Sequence, residues 1–96
     1  MKAFIIVDVT VVDPTVYESY KKLTPASLKP FDGKFLVRGG ATETLEGSWT
    51  PGRFVILEFP SVDKARAWYT SEEYEFAKAI RQRSAHTQMI LAEGFE

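Results

Sequence analysis

The sequence has no cysteine and only one histidine, and this scarcity excludes several kinds of chemistry. Without thiols the chain can form no disulfide, no thiolate nucleophile and no sulfur-ligated metal site. A single imidazole also leaves too few ligands for a metal site built mainly from histidine. We therefore expect neither a bound metal ion nor another cofactor.

Long apolar runs and a surplus of one charge are missing as well. The apolar stretch that follows Lys2 ends at Asp8, so it is too short for a membrane span or for the hydrophobic region of a signal peptide. The 12 basic and 13 acidic residues leave a net charge of -1, whereas proteins that bind duplex nucleic acid usually carry a basic surplus. These features predict a cytoplasmic protein without a membrane or nucleic-acid partner.

What the chain does have is apolar material for one core. Its 96 residues are 45% hydrophobic, which suffices for one packed domain and not for two. Residues 1–96 are therefore expected to form a single domain.

Local patterns predict the order βαββαβ. Asp13 and Pro14 mark the start of the first helix, and a capping box that begins at Thr70 predicts a break in the second. The predicted strands are 3–12, 34–38, 53–59 and about 85–93. The predicted helices are 14 to about 26 or 28, and 62 to about 84. This order is typical of the ferredoxin-like fold, an α+β architecture in which a four-stranded antiparallel sheet carries both helices on one face.

The alternation of side chains along the strands predicts a second buried face. One set of positions is wholly apolar and should pack beneath the helices: Ala3, Ile5, Val7, Val9, Phe35, Val37, Val55, Leu57, Phe59, Met89 and Leu91. The opposite, helix-free face also carries large apolar residues: Phe4, Ile6, Leu36, Phe54, Ile56 and Ile90. A solvated sheet face is normally polar, so we expect a second copy of the chain to cover this one, giving a homodimer with a dimeric α+β barrel.

The same alternation places five polar side chains on the helix-free face, in the expected cavity between two sheets: Asp8, Arg38, Glu58, His86 and Gln88. Arg38 is the predicted anchor for an anionic or carbonyl-bearing small molecule, and Asp8 and Glu58 are predicted to orient it. Trp49, in the loop before the third strand, is predicted to form part of the cavity wall. The alternative is an ion-pair network that fixes strand register or dimer geometry.

A cofactor-independent enzyme is the second functional hypothesis. Histidine is the side chain that ionises near neutral pH, so His86 is a candidate general base, and Asp8 is the other catalytic candidate. The simpler interpretation of His86 is a surface or interface residue. A third hypothesis is a dimer that binds no ligand and uses its inner polar residues only to hold the subunits together.

Several short motifs, spread over nearly the whole chain, together resemble the domain-of-unknown-function-1330 (DUF1330) family. They are Asp13-Pro14, Tyr17-x-x-Tyr20, Arg38-Gly39-Gly40, Leu45-Glu46-Gly47-Ser48-Trp49-Thr50-Pro51-Gly52-Arg53, Glu58-Phe59-Pro60-Ser61, Ala65, Trp68-Tyr69, Ser71, Tyr74 and Arg81. The resemblance implies a small dimeric α+β barrel in a superfamily that includes monooxygenases, isomerases, decarboxylases and haem-handling enzymes. It implies no particular reaction, because kinship of fold does not carry chemistry with it.

Overall fold

The computed structural model describes residues 1–95 and confirms the predicted order of elements. Within those residues the strands are β1 (Ala3–Val11), β2 (Lys34–Arg38), β3 (Arg53–Phe59) and β4 (Ala85–Glu93), and the helices are α1 (Pro14–Leu28), α2 (Val62–Tyr69) and α3 (Glu72–Ser84). A short 3-10 turn, Lys29–Phe31, follows α1. No helix among these residues has both the length and the apolar character needed to cross a bilayer.

The strands form one antiparallel sheet in the order β2-β3-β1-β4, as the ferredoxin-like fold requires. Its register places Ile5 opposite Leu57 on one side and Leu91 on the other, so residues of equal parity share a face. The predicted helix-facing positions of β1 and β3 are all buried: Ala3, Ile5, Val7, Val9, Val55, Leu57 and Phe59. The core therefore lies between the helices and this face of the sheet.

Side-chain caps set the starts of the helices. The Asp13 carboxylate accepts a hydrogen bond from the Val16 amide at 3.1 Å, as predicted. The break between α2 and α3 is also confirmed, but Ser71 caps α3 instead of Thr70, accepting from the Tyr74 amide at 3.1 Å. Thr70 still belongs to the end of α2, because its own amide donates to the Arg66 carbonyl at 3.2 Å.

Aromatic packing fixes the helices over the sheet. The Trp68 and Tyr74 rings stack with their centroids 4.0 Å apart, and Phe59 packs against Trp68 at 5.6 Å. The indole N–H of Trp68 donates to the Ser27 hydroxyl at 3.0 Å, which ties α2 to α1. Because both rings are fully buried, these contacts leave the helices little freedom to shift.

A β-bulge in β2 reverses the faces of its last two residues. Phe35 lies opposite Leu57, but the next step along β3, Ile56, faces Val37, so Leu36 is an extra residue. Arg38 then lies opposite Val55, on the face beneath the helices. The prediction that Arg38 lies on the helix-free face, and Val37 beneath the helices, is therefore wrong, because simple alternation cannot anticipate an inserted residue.

The helix-free face has the apolar surface that the alternation predicted. Phe4, Ile6, Phe54 and Ile56 are half-buried there, and Ile90 is 61% exposed. The loop between β2 and β3 reaches the edge of this face, where the rings of Trp49 and Phe54 are 5.9 Å apart. The face is thus continuous and lacks a covering element from within residues 1–95.

Candidate functional site: a cavity between the first helix and the sheet

Three arginines converge on the helix side of the sheet. Arg38 lies on that side because of the bulge in β2. Arg53 is the first residue of β3 and lies opposite Val9, a buried helix-facing residue. Arg81 lies seven residues after Tyr74 on the inner face of α3 and is only 5% exposed. These side chains line a cavity, here called the α1 cavity, whose aromatic walls are Tyr17, Tyr20, Phe35 and Trp68.

A chain of hydrogen bonds closes the inner end of the α1 cavity. The Nε–H of Arg81 donates to the Tyr74 hydroxyl at 3.2 Å, and the hydroxyls of Tyr74 and Tyr20 are 2.8 Å apart. Burial raises the pKa of Tyr20 and of Tyr74 above the ordinary phenol value. Both phenols are therefore neutral at physiological pH and can donate as well as accept hydrogen bonds.

The outer end of the α1 cavity is formed by Arg38 and Arg53. Nη2 of Arg38 donates to the Lys21 carbonyl at 2.6 Å, and its guanidinium lies 4.4 Å from the centre of the Phe35 ring. The guanidinium of Arg53 lies 5.8 Å from the centre of the Tyr17 ring. Nε of Arg53 is buried without a hydrogen-bond partner, although such groups are nearly always satisfied in folded proteins.

The α1 cavity is small inside and opens outward. The centre of a water molecule can move through only 20 Å³ of its interior. The interior therefore has room for one or two waters. Beyond Arg38 and Arg53 lies a shallow groove of 520 Å³, here called the outer groove, whose other walls are Lys21, Lys22 and Pro25. That volume falls within the ordinary size range of small-molecule sites.

A wider groove of 690 Å³ lies between α2 and β4, and its walls are mainly apolar. Its charged residues, Asp63 and Arg66, are exposed on α2. The α1 cavity differs in having buried polar groups in its wall, Arg81 and Nε of Arg53, so it is the better candidate.

The structure brings two of the predicted site residues together on the helix-free face. Oδ2 of Asp8 accepts from the Trp49 indole N–H at 2.8 Å, and Oδ1 accepts from the Gly52 amide at 2.9 Å. A side chain at Gly52 would collide with the Val9 carbonyl, so this close approach needs glycine. Asp8 thus holds the end of the β2–β3 loop, and a role for Asp8 and Trp49 in binding a ligand stays a prediction.

Glu58 lies elsewhere on the helix-free face. It is opposite Phe4, four residues along the ladder from the Asp8–Phe54 pair, and it bonds Lys34 at 3.1 Å and Lys2 at 3.3 Å. The hydrogen bond from Lys34 lowers the pKa of Glu58, and Lys2 adds to that effect. The structure therefore does not group Glu58 with Asp8 or Arg38.

His86 is exposed at the start of β4, opposite Thr10, and it does not line the α1 cavity. It borders a separate surface depression together with Tyr69 and Gln82. Within residues 1–95, no three potential metal-binding side chains of the His, Cys, Asp or Glu type converge. The proposed roles of His86 and Asp8 as bases stay predictions.

Sequence reasoning missed Arg53 and Arg81 as site residues. Arg53 has the same parity as Val55, Leu57 and Phe59, and this alternation was the available signal that its side chain faces the helices. Arg81 follows Ala77 by four residues within the buried stripe of α3, a position where a charge points inward.

Solved structures share this fold at low sequence identity. A protein of unknown function from Rhodopseudomonas palustris aligns with a TM-score of 0.77 at 18% identity, covering 99% of this chain and 83% of the other. SnoaB, a cofactor-independent oxygenase from Streptomyces nogalater, aligns with a TM-score of 0.69 at 14% identity, covering 99% and 94%. A dimeric ferredoxin-like protein of unknown function from Jannaschia sp. CCS1 aligns with a TM-score of 0.69 at 10% identity, covering 98% and 100%.

The sequence also matches one family model over almost its whole length. The model for DUF1330, a domain of unknown function, matches residues 2–95. The chain therefore belongs to the DUF1330 family, which confirms the resemblance carried by its motifs. Among curated proteins, none matches the sequence significantly.

Proposed function

We propose that this DUF1330 protein is a cytoplasmic homodimer that binds a small organic molecule at the mouth of the α1 cavity and in its outer groove. The observation that carries the proposal is the buried Nε of Arg53, a donor without a partner in the wall of the cavity. An unsatisfied buried donor costs about 1–3 kcal/mol, so the site gains when a ligand or an ordered water supplies the acceptor.

The mouth of the α1 cavity and the outer groove suit an organic molecule. The Phe35 and Tyr17 rings offer aromatic surface beside the two guanidinium groups, and Arg38 and Arg53 supply donors from the ends of β2 and β3. Sites of this kind combine mostly apolar walls with a few well-placed polar groups that orient the ligand. This proposal keeps Arg38 as the polar anchor and moves the site to the other side of the sheet.

The helix-free face supports the homodimer. Its large apolar residues are half-buried or exposed and lie together on one face, and contiguous apolar surface of this kind marks protein–protein interfaces. Two of the solved structures with this fold, from Jannaschia sp. CCS1 and Bacteroides fragilis, are described as dimeric. In such a dimer the sheets face each other and each subunit keeps its own α1 cavity on the outside.

A cofactor-independent enzyme, of a monooxygenase or isomerase type, is the second candidate. The buried chain Arg81–Tyr74–Tyr20 favours it, because neutral phenols backed by a cation can stabilise a developing oxyanion. His86 and Asp8 lie outside the α1 cavity, so a base at either position would serve a separate site; in that case His86→Ala and Asp8→Asn remove turnover without unfolding the protein. Unchanged rates would discard those two roles.

Native mass spectrometry of the purified protein tests the main proposal. We expect a dimer of 10.9 kDa subunits that retains a small molecule. Arg38→Ala should release that molecule and leave the dimer intact, because Arg38 faces the helices. Arg83→Ala is the control, since Arg83 is exposed on α3. If Arg38→Ala instead splits the dimer, the polar residues serve assembly and the third hypothesis, a dimer without a ligand, is preferred.

A further inference from the structure

The charged side chains that line the α1 cavity and the outer groove all have the same sign. They are Lys21, Lys22, Arg38, Arg53 and Arg81, and no aspartate or glutamate is among the lining residues. Glu18 pairs with Lys21 at 2.7 Å and also lies within reach of the charges of Lys22 and Arg53, so one carboxylate faces this group of cations from outside the lining. Such an excess is notable in a chain whose net charge is -1, because cations of like charge repel unless an anion joins them.

Arg53 lies at the boundary between the cavity and the groove. It lines both spaces, and its Nε is buried without a partner. Its guanidinium passes so close to Gly39 that a β-carbon there would collide with Nη1. Because Gly39 has no side chain, the guanidinium of Arg53 can occupy the space beside it.

Arg38 is fixed beside Arg53 and still has donors to offer. One of its nitrogens is held by the Lys21 carbonyl, and its planar face rests on Phe35. A guanidinium has five N–H donors, so the remaining ones are free to meet a planar acceptor. An arginine fixed in this way loses little conformational entropy when it binds a ligand.

We propose that the ligand is a small organic carboxylate, held between Arg38 and Arg53 at the mouth of the α1 cavity. This inference rests on the proposed binding function and names the class of its ligand. The carboxylate oxygens match the planar donor forks of Arg38 and Arg53, which line both the cavity and the groove. The interior is too small for more than water, so the organic part lies in the outer groove.

A carboxylate fits this site better than a phosphate does. Phosphate sites commonly use a helix N-terminus, where free backbone amides point at the ligand. The α1 residues that line the cavity and groove run from Tyr17 to Pro25, in the interior of the helix, where the amide N–H groups are already bonded and Pro25 has none. The anion must therefore be met by side chains, which form two planar forks.

Matched pairs of ligands test the inference by titration calorimetry. Benzoate and cyclohexanecarboxylate are compared with benzamide and cyclohexanecarboxamide, which have the same shape without the charge, and inorganic phosphate is added as a third probe. We expect each carboxylate to bind about tenfold or more tightly than its amide. Arg38→Gln and Arg53→Gln should each weaken carboxylate binding about tenfold, whereas Arg83→Gln should leave it unchanged.

The outcomes separate this inference from the proposed function. If amides bind as tightly as carboxylates, or phosphate binds more tightly than both, the carboxylate class is wrong while a small-molecule site remains. If none of the probes binds at millimolar concentration, both proposals fail. Should Arg53→Gln not fold, Arg53→Lys keeps the charge and loses the fork, and the comparison of acid with amide on the unaltered protein still decides.

Discussion

Two glycines with the same backbone conformation allow a test at the scale of single residues. Gly39 and Gly47 have φ values of 75° and 84°, so alanine at either position costs about 1–3 kcal/mol of backbone strain. Only at Gly39 would the new β-carbon collide with Arg53, since it meets nothing within 4 Å at Gly47. Gly39→Ala should therefore weaken carboxylate binding, measured by calorimetry, whereas Gly47→Ala should only lower stability. Equal binding by both variants would argue against Arg53 as a ligand-binding residue.

The buried phenols predict how stability depends on pH. A tyrosine in the unfolded chain ionises near pH 10, but burial, with help from Tyr74, raises the pKa of Tyr20 in the folded chain. Above about pH 10 the folded state thus keeps a proton that the unfolded state has lost, so stability falls as pH rises. In urea denaturation at a series of pH values, Tyr20→Phe should show a shallower fall than the unaltered protein. An identical slope would contradict this role of Tyr20.

At the scale of secondary structure, two substitutions test whether Ser71 or Thr70 caps the N-terminus of α3. The Ser71 hydroxyl accepts from the Tyr74 amide, whereas the Thr70 hydroxyl only donates to the Arg66 carbonyl. Ser71→Ala should lower the free energy of unfolding by about 1 kcal/mol, and Thr70→Ala should lower it by less. Urea denaturation of both variants decides, and the reverse order would mean that Thr70 begins the helix after all.

The elements themselves were readable from the sequence, but the faces of β2 were not. Period-two spacing predicted β3 and β4 with the bounds that the structure shows, and on β3 the helix-facing residues Val55, Leu57 and Phe59 are all buried. On β2 the extra residue Leu36 reversed the faces of Val37 and Arg38, and nothing in a run of three consecutive apolar side chains marks such an insertion. That single bulge moved Arg38 from the helix-free face to the α1 cavity.

For the whole molecule, the helix-free face predicts the behaviour of a charged variant. Ile90 is 61% exposed in one subunit, so Ile90→Lys should not disturb its fold but should place a charge against the partner's sheet. Sedimentation should then show a monomer that still binds carboxylates, because the α1 cavity lies within one subunit. Phe76→Lys, at a residue 70% exposed on α3, is the control and should remain dimeric. A dimeric Ile90→Lys protein would contradict the proposed interface.

The most direct test of the account is where a carboxylate binds, on the helix side of the sheet or on the helix-free side. Side-chain N–H signals report binding on either side. Arg38 and Arg53 lie on the helix side, and the indole of Trp49 lies on the helix-free side. In two-dimensional ¹⁵N NMR with benzoate, we expect the Nε–H signals of Arg38 and Arg53 to shift while the Trp49 indole signal stays in place. Shifts at Trp49 without shifts at the two arginines would contradict the account.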